Sequence, residues 1–216
     1  MRCETANRLH AEAYSMHTGK STVKRLRKTL QLYDAQLQSI RQEIKEVIAA
    51  DALLQEKINK VTTIKGVGVL TAATVVAETN GFALFTNQKQ LVSYAGYDVV
   101  ENQSGNRVGR TRISKQGNSH IRRILHMPAL HAMRRNVPVC RALFDRLTGK
   151  GKKKMLAYVA VQKKLLVLIY TLWKRDEAWQ ENKQGLLQPD LEEDIPHLSA
   201  KSSLSGKVKI RKIQLK

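Results

Sequence analysis

From Lys24 onward, apolar residues fall at Leu26, Leu30, Tyr33, Leu37, Ile40, Ile44 and Val47, in alternating steps of four and three. With about 3.6 residues per turn, that spacing holds them on one narrow stripe of a helix and is incompatible with the two-residue period of a strand. Lys, Arg, Gln and Glu fill the flanking positions. A stripe this narrow is the seam of a coiled coil, and a helix that carries it needs a partner, either another helix of this chain or a second copy. The same residues also suit an ordinary amphipathic core helix. Asp51 follows Ala49 and Ala50 and is placed to cap a fresh helix through Leu54, Ile58 and Val61, in phase with the seam. Before the seam, Glu4, Ala6, Arg8, Leu9, Ala11, Glu12 and Ala13 favour a helix with no capping residue ahead of it, as though the chain began inside one. Gly19 is expected to end that helix.

The run from Val61 to Glu78 holds two glycines one residue apart, Gly66 and Gly68, and then Leu70, Ala73, Val76 and Ala77 open another helix. Helix, Gly-apolar-Gly, helix is the pattern of a helix-hairpin-helix, whose free amides at the second helix can bind a DNA phosphate. It serves equally as a tight turn between two core helices. No Gly-Lys-Ser/Thr or third glycine follows, which removes the P-loop and the dinucleotide fingerprint. Asn80-Gly-Phe82 closes this helix, and Asn87 is placed to cap a short one from Gln88 to Ala95 with Leu91, Val92 and Tyr94 on its buried face.

Tyr97 to Val100 is brief and β-branched, and Ile113-Ser-Lys115 is expected to pair with it as a hairpin. Between them, Ser104 sits between Gln103 and Gly105, where a tight turn can expose its hydroxyl. Arg107, Arg110, Arg112, Lys115, Arg122 and Arg123 follow, and no Asp or Glu occurs from Asn102 to Phe144. Ordinary surfaces intersperse both signs, so a run this one-sided suits the binding of phosphate, which the planar guanidinium fork matches. Asn118 or Ser119 is expected to cap a helix carrying Ile121, Ile124, Leu125, Met127 and Leu130, interrupted at Pro128. With His120, Arg122 and Arg123 in its first turn, that helix opposes its own dipole unless an anion binds there.

A serine hydroxyl attacks phosphorus only where its proton can leave and the developing charge is neutralised, and clustered guanidiniums meet the second need. Ser104 is therefore a candidate nucleophile, and it also fits a plain turn residue before Gly105. Two-metal hydrolysis needs converging carboxylates, and Glu78, Asp98, Glu101 and Asp145 have no recognisable spacing for it. His120, His126 and His131 lie six and five apart on one expected helix, which puts no pair on one face.

The chain carries 38 Lys and Arg against 18 Asp and Glu, for a net charge of +20. Such a field draws polyanions, nucleic acid first among them. No apolar run near the ~20 residues needed to span a bilayer is evident, and no signal peptide opens the chain. Cys3 and Cys140 lie far apart, as in a reduced intracellular protein with unpaired thiols. Met155 to Trp173 reads as a long core helix after the solvated Gly149-Lys-Gly-Lys-Lys-Lys154 loop, and from Gly185 the polar chain reads as a disordered tail.

Four motifs in order, Ile64-Lys-Gly-Val-Gly-x-x-Thr-Ala72, Phe85-x-Asn-x-Lys-Gln-Leu-Val-Ser-Tyr-Ala-Gly96, Gln103-Ser-Gly105 and Ile113-Ser-Lys-Gln-Gly-Asn-Ser-His-Ile-Arg-Arg123, resemble the C-terminal transposase domain of the IS110/IS116/IS902-type insertion-sequence family. The resemblance covers roughly residues 60–175, and the heptads resemble that family's linker coiled coil. It implies a mainly α fold: a long coiled-coil helix, then a helical domain with a helix-hairpin-helix-like motif and a small β-hairpin. The expected parts are a linker over 1–61, a transposase domain over 62–183 with its glycine turn near 61–79 and serine loop near 99–118, and a tail over 184–216. Ser104 matches the serine that becomes transiently joined to DNA. Gly66, Gly68, Arg107, Arg110, Arg112, Lys115, Asn118, Arg122 and Arg123 are the expected DNA- or RNA-binding residues. The resemblance further implies DNA and a guide RNA as partners, a homo-oligomer formed through the coiled coil, no membrane, and a cytoplasmic place near the bacterial nucleoid. It implies no cofactor for this chain. A divalent metal belongs to the family's RuvC-like N-terminal domain, which this sequence does not show, so the chain reads as a C-terminal piece, split or truncated.

Overall fold

The computed structural model describes residues 1–16, 19–100, 103–104, 107–108, 112–134 and 137–180. The expected tail over 184–216 lies outside the described residues, as does Arg110.

Helix α1 (Arg2–Ala13) and helix α2 (Lys20–Ala50) form an antiparallel pair. The start of α1 lies beside the middle of α2, where Arg2 pairs with Asp34 and the Tyr33 hydroxyl donates to Met1 Sδ at 3.5 Å. Its far end lies at the opening of α2, where the Gly19 amide donates to Glu12 Oε1 at 3.2 Å. Gly19 therefore does not close the first helix, which already ends at Ala13. It occupies the N-cap position of α2 with extended backbone, φ −72° and ψ 101°. The seam divides: Leu26, Leu30 and Tyr33 are half-buried beside α1, whereas Leu37, Ile40 and Val47 are exposed.

Asp51 interrupts the helical rod as the sequence implies. Its Oδ1 accepts from the amides of Leu53 and Leu54 at 3.0 and 3.1 Å, capping α3 (Ala52–Thr62). Ile58 and Val61 on α3 are buried. After the glycine turn comes α4 (Val69–Glu78), then a 3-10 turn over Asn80–Phe82, and α5 (Gln88–Tyr94) capped by Asn87 Oδ1, which accepts from the Gln90 amide at 2.9 Å. Leu91 and Val92 are buried as expected, but Tyr94 is 40% exposed. Its ring leans on Phe85 and its hydroxyl reaches the Glu78 carbonyl at 3.1 Å, which a tyrosine at a helix end can do only from the rim.

Strand β1 (Val99–Val100) pairs antiparallel with β4 (Arg112–Ile113), as the hairpin reading requires, and β2 (Gln103–Ser104) pairs with β3 (Arg107–Val108). Beyond them α6 (Ser119–Ile124) stops early and α7 (His126–Arg134) begins at once. The break falls at Leu125, three residues before Pro128, because the proline ring collides with the carbonyl four residues back, that of Ile124. Two corrections follow. Arg122 and Arg123 stand in the last turn of a short helix, where cations suit the dipole, so the argument from an uncompensated first turn fails. His120 lies on α6, apart from His126 and His131 on α7. Met127, on α7, is exposed.

Helix α8 (Pro138–Gly149), which opens on a proline whose missing amide costs a first helical turn nothing, leads into α9 (Lys154–Arg175). Val161, Leu165, Leu166, Leu168 and Ile169 make α9 the axis of the core, with α3, α5, α7 and α8 packed around it. Contrary to the sequence expectation, α9 is long and apolar enough to cross a membrane, yet two thirds of its apolar window is buried inside this fold. At its end Asp176 turns the chain back onto α3, where it pairs with Lys60 at 2.9 Å, and the Trp179 amide donates to Thr63 Oγ1 at 2.8 Å. Cys3 is exposed and Cys140 buried, neither in a disulfide.

Candidate nucleic-acid interface

The serine hairpin grows from a corner between α5 and α6. Gly96, at φ +71°, turns the chain out of α5, and the Tyr97 amide donates back to the Val92 carbonyl at 3.0 Å. The register then sets Val99 opposite Ile113, Val100 opposite Arg112, Gln103 opposite Val108 and Ser104 opposite Arg107. Ser104 is exposed and is the Cα partner of Arg107. Val99 and Val100 are both exposed, so the base of the ribbon is not sunk into the helical core.

The return limb is held by side chains. Lys115 adopts φ +57°, a left-handed conformation uncommon outside glycine, and its amide donates to the Gly96 carbonyl at 3.2 Å. The Arg122 guanidinium donates to the carbonyls of Ala95 at 2.8 Å and Lys115 at 3.1 Å, with a longer bond to Asn118. Asn118 caps α6 through Oδ1, which accepts from the amides of His120 and Ile121 at 2.9 and 3.2 Å, while its Nδ2 donates to Glu78 Oε2 at 2.6 Å. Its backbone amide donates to the Tyr94 carbonyl at 2.8 Å. A fork aimed at carbonyls rather than solvent makes Arg122 a clamp for the corner, and a cap that also ties down α4 does the same for Asn118.

The expected binding residues thus separate into groups. Arg112, Lys115 and Arg123 are exposed on or beside the corner. Arg122 and Asn118 are committed to backbone and to Glu78. Arg107 is placed by its pairing with Ser104, and Arg110 lies outside the described residues. The glycines lie elsewhere. Gly66, at φ +102°, faces α7 so closely that a Cβ there would meet His131 Cβ at 3.0 Å and the Pro128 carbonyl at 3.1 Å. Gly68 is open on the side a Cβ would take and begins α4. The ten-residue α4 ends at Glu78 by the Asn118 cap, so about 15 Å of helix separates the glycine turn from the hairpin corner. Sequence reasoning overlooked Glu78 and Tyr94 as supports of the corner, and only their closeness in space reveals them. Among the described residues no three His, Cys, Asp or Glu side chains gather as a metal site would need.

This corner and hairpin fall inside a segment, residues 58–145, that matches the model of the transposase IS116/IS110/IS902 family. Over residues 58–145 the chain is similar to that family. Similar proteins include a pilin gene-inverting protein of Moraxella bovis, 26% identical over 140 residues, which are 64% of this chain and 44% of that protein. A transposase for insertion sequence element IS1111A of Coxiella burnetii is 29% identical over 151 residues, 64% of this chain and 38% of its own length. An uncharacterised 43.6 kDa protein of insertion element IS110 from Streptomyces coelicolor is 25% identical over 122 residues, 56% of this chain and 30% of its own. The chain spans less than half the length of these relatives. The likeness to transposases is confined to this segment and its surroundings. The mainly α fold is as expected, and among the described residues the short strands are confined to the hairpin.

Proposed function

We propose that the chain is the DNA-binding part of a serine-dependent transposase and that Ser104 is its nucleophile. One observation carries the reading: an exposed serine sits on a hairpin opposite Arg107, within the family segment, in a stretch without any acidic residue from Asn102 to Phe144. In the reaction, Ser104 Oγ attacks the phosphorus of a DNA phosphodiester and gives up its proton to water. The bond from phosphorus to one deoxyribose oxygen breaks, a phosphoserine ester forms, and the released oxygen takes a proton. Arg107, Arg110, Arg112, Lys115 and Arg123 supply positive charge to the crowded phosphate oxygens, and Arg122 and Asn118 hold the corner that presents them. Gly66 and Gly68 shape a second, helix-hairpin-helix-like contact at the far end of α4.

Partners follow from the resemblance: DNA, a guide RNA, and a second copy of the chain paired along the exposed half of the α2 seam. Any divalent metal belongs to the carboxylates of a RuvC-like domain. The test is covalent trapping. The protein, with and without a supplied RuvC-like domain, is incubated with family element-end DNA and guide RNA, and denaturing gels are read for an adduct. The proposal requires an adduct that Ser104→Ala abolishes. Adducts that survive the substitution identify another nucleophile. Binding with no adduct under any condition leaves a nucleic-acid-binding module without catalysis.

A further inference from the structure

The opening third of α2 lies outside the family segment and carries Lys20, Lys24, Arg25, Arg27 and Lys28, all exposed. No Asp or Glu occurs between Glu12 and Asp34. Those two flanking carboxylates are already engaged, Glu12 by the Gly19 amide and Asp34 by Arg2. On a helix, Lys20, Lys24, Arg27 and Lys28 fall within about 100° of arc and along about 12 Å of axis. Val23, Leu26 and Leu30 lie on an adjoining face of the helix, centred roughly 110° away, and are half-buried. The second half of the same helix is an internal contrast, since Arg41 and Lys45 alternate there with Glu43 and Glu46 in the mixed pattern of an ordinary solvated surface.

We infer that this stripe is a second nucleic-acid contact, separate from the hairpin corner, which takes the phosphate backbone without reading sequence. A duplex presents one charge per about 1.7 Å of axis, so a stripe of this length meets several phosphates at once. The residues among the cations, Ser21, Thr22 and Gln31, are polar and exposed, as suits phosphate oxygens. A membrane-surface helix instead needs a continuous free apolar face beside its cations, and here Val23, Leu26 and Leu30 are half-buried, which leaves Leu32 as an isolated exposed apolar residue near the stripe. The stripe's role does not depend on the chemistry assigned to Ser104.

The experiment is fluorescence anisotropy on the full chain with labelled random-sequence duplex DNA, and separately with labelled single-stranded RNA, across a salt titration. The stripe variant is Lys20→Gln/Lys24→Gln/Arg27→Gln/Lys28→Gln. A control removes the same charge elsewhere, as Arg41→Gln/Lys45→Gln/Lys89→Gln/Arg175→Gln, and circular dichroism checks helicity in both. At about 0.9 per duplex phosphate contact, the stripe variant is expected to lower the salt slope by about 3 and weaken low-salt binding at least about tenfold, with little loss in the control. Equal losses in the two variants would overturn the inference in favour of bulk charge. An unchanged slope in the stripe variant, with lost binding to phosphatidylserine vesicles or to polyglutamate, would overturn it in favour of a membrane or an acidic protein. Ser104→Ala is expected to keep the wild-type slope, so failure of trapping and failure of the stripe are read separately.

Discussion

The Arg122 guanidinium donates to the Lys115 carbonyl at 3.1 Å while its other terminal nitrogen holds the Ala95 carbonyl at 2.8 Å, so one side chain ties the end of α5 to the return limb of the serine hairpin. Hydrogen bonds to charged groups contribute about 1.5–3 kcal/mol. Arg122→Ala is expected to lower stability by about 2 kcal/mol in denaturant unfolding, and Arg122→Lys to recover little, because a point charge cannot span two carbonyls. Arg123→Ala, exposed beside it, is expected to change stability by less than about 0.5 kcal/mol while weakening DNA binding.

The two glycines of the turn are expected to answer differently to alanine. Gly66→Ala forces a left-handed backbone on a residue with a side chain and drives its Cβ against His131 and the α7 backbone, so a loss of about 2 kcal/mol or more in thermal unfolding is expected. Gly68→Ala has ordinary φ and open space, and its cost is expected to stay below about 1 kcal/mol. If Gly68 contacts phosphate, its substitution is seen in DNA affinity and not in melting.

The buried Tyr97 hydroxyl donates to Gln162 Oε1 at 3.0 Å, and Gln162 Nε2 lies 3.2 Å from His126 Nδ1. This links the foot of the hairpin to the core helix. Tyr97→Phe leaves the Gln162 carbonyl unpaired in the core and is expected to cost about 1–3 kcal/mol. Adding Gln162→Leu removes the orphaned group, and the double variant is expected to be more stable than Tyr97→Phe alone, measured by urea midpoint at matched slope.

Thiol accessibility and alkaline stability form the last pair of expectations. Burial pushes the Cys140 thiol up to about 11, while Cys3 is exposed. An aromatic disulfide reagent is therefore expected to label Cys3 in the native chain and both cysteines only in denaturant. A raised acid pKa in the folded state gives stability that is full below the unfolded thiol value and is lost as pH rises toward about 11. Lys164, held below its ordinary value mainly by burial, acts in the opposite sense, regaining stability as pH rises toward the unfolded lysine value. Cys140→Ala is thus expected to flatten the decline of unfolding free energy between about pH 9 and 11.

Much of the architecture was legible locally. The Asp51, Asn87 and Asn118 caps, the long α2 and α9, and the pairing of Val99 with Ile113 follow from side chains that bond amides two or three residues away or from a period counted along the chain. What was not legible depended on what lay across the fold. Arg122 read as a phosphate ligand by its charge and its neighbours, and its bonds to the Ala95 and Lys115 carbonyls were not legible because those carbonyls are distant in sequence. Tyr94 read as core by its place in the helix and came out at the rim with its hydroxyl on Glu78.

Short-range bonding and composition account for the helices, their caps, the glycine turn, the pairing of the hairpin's base and the excess of positive charge. Packing between distant segments set which described cations face solvent and which bond the backbone, why Gly66 answers to α7, and why Leu37, Ile40 and Val47 of the α2 seam are exposed. Those outcomes are set by distances between segments far apart in the chain, and a local pattern carries no information about them.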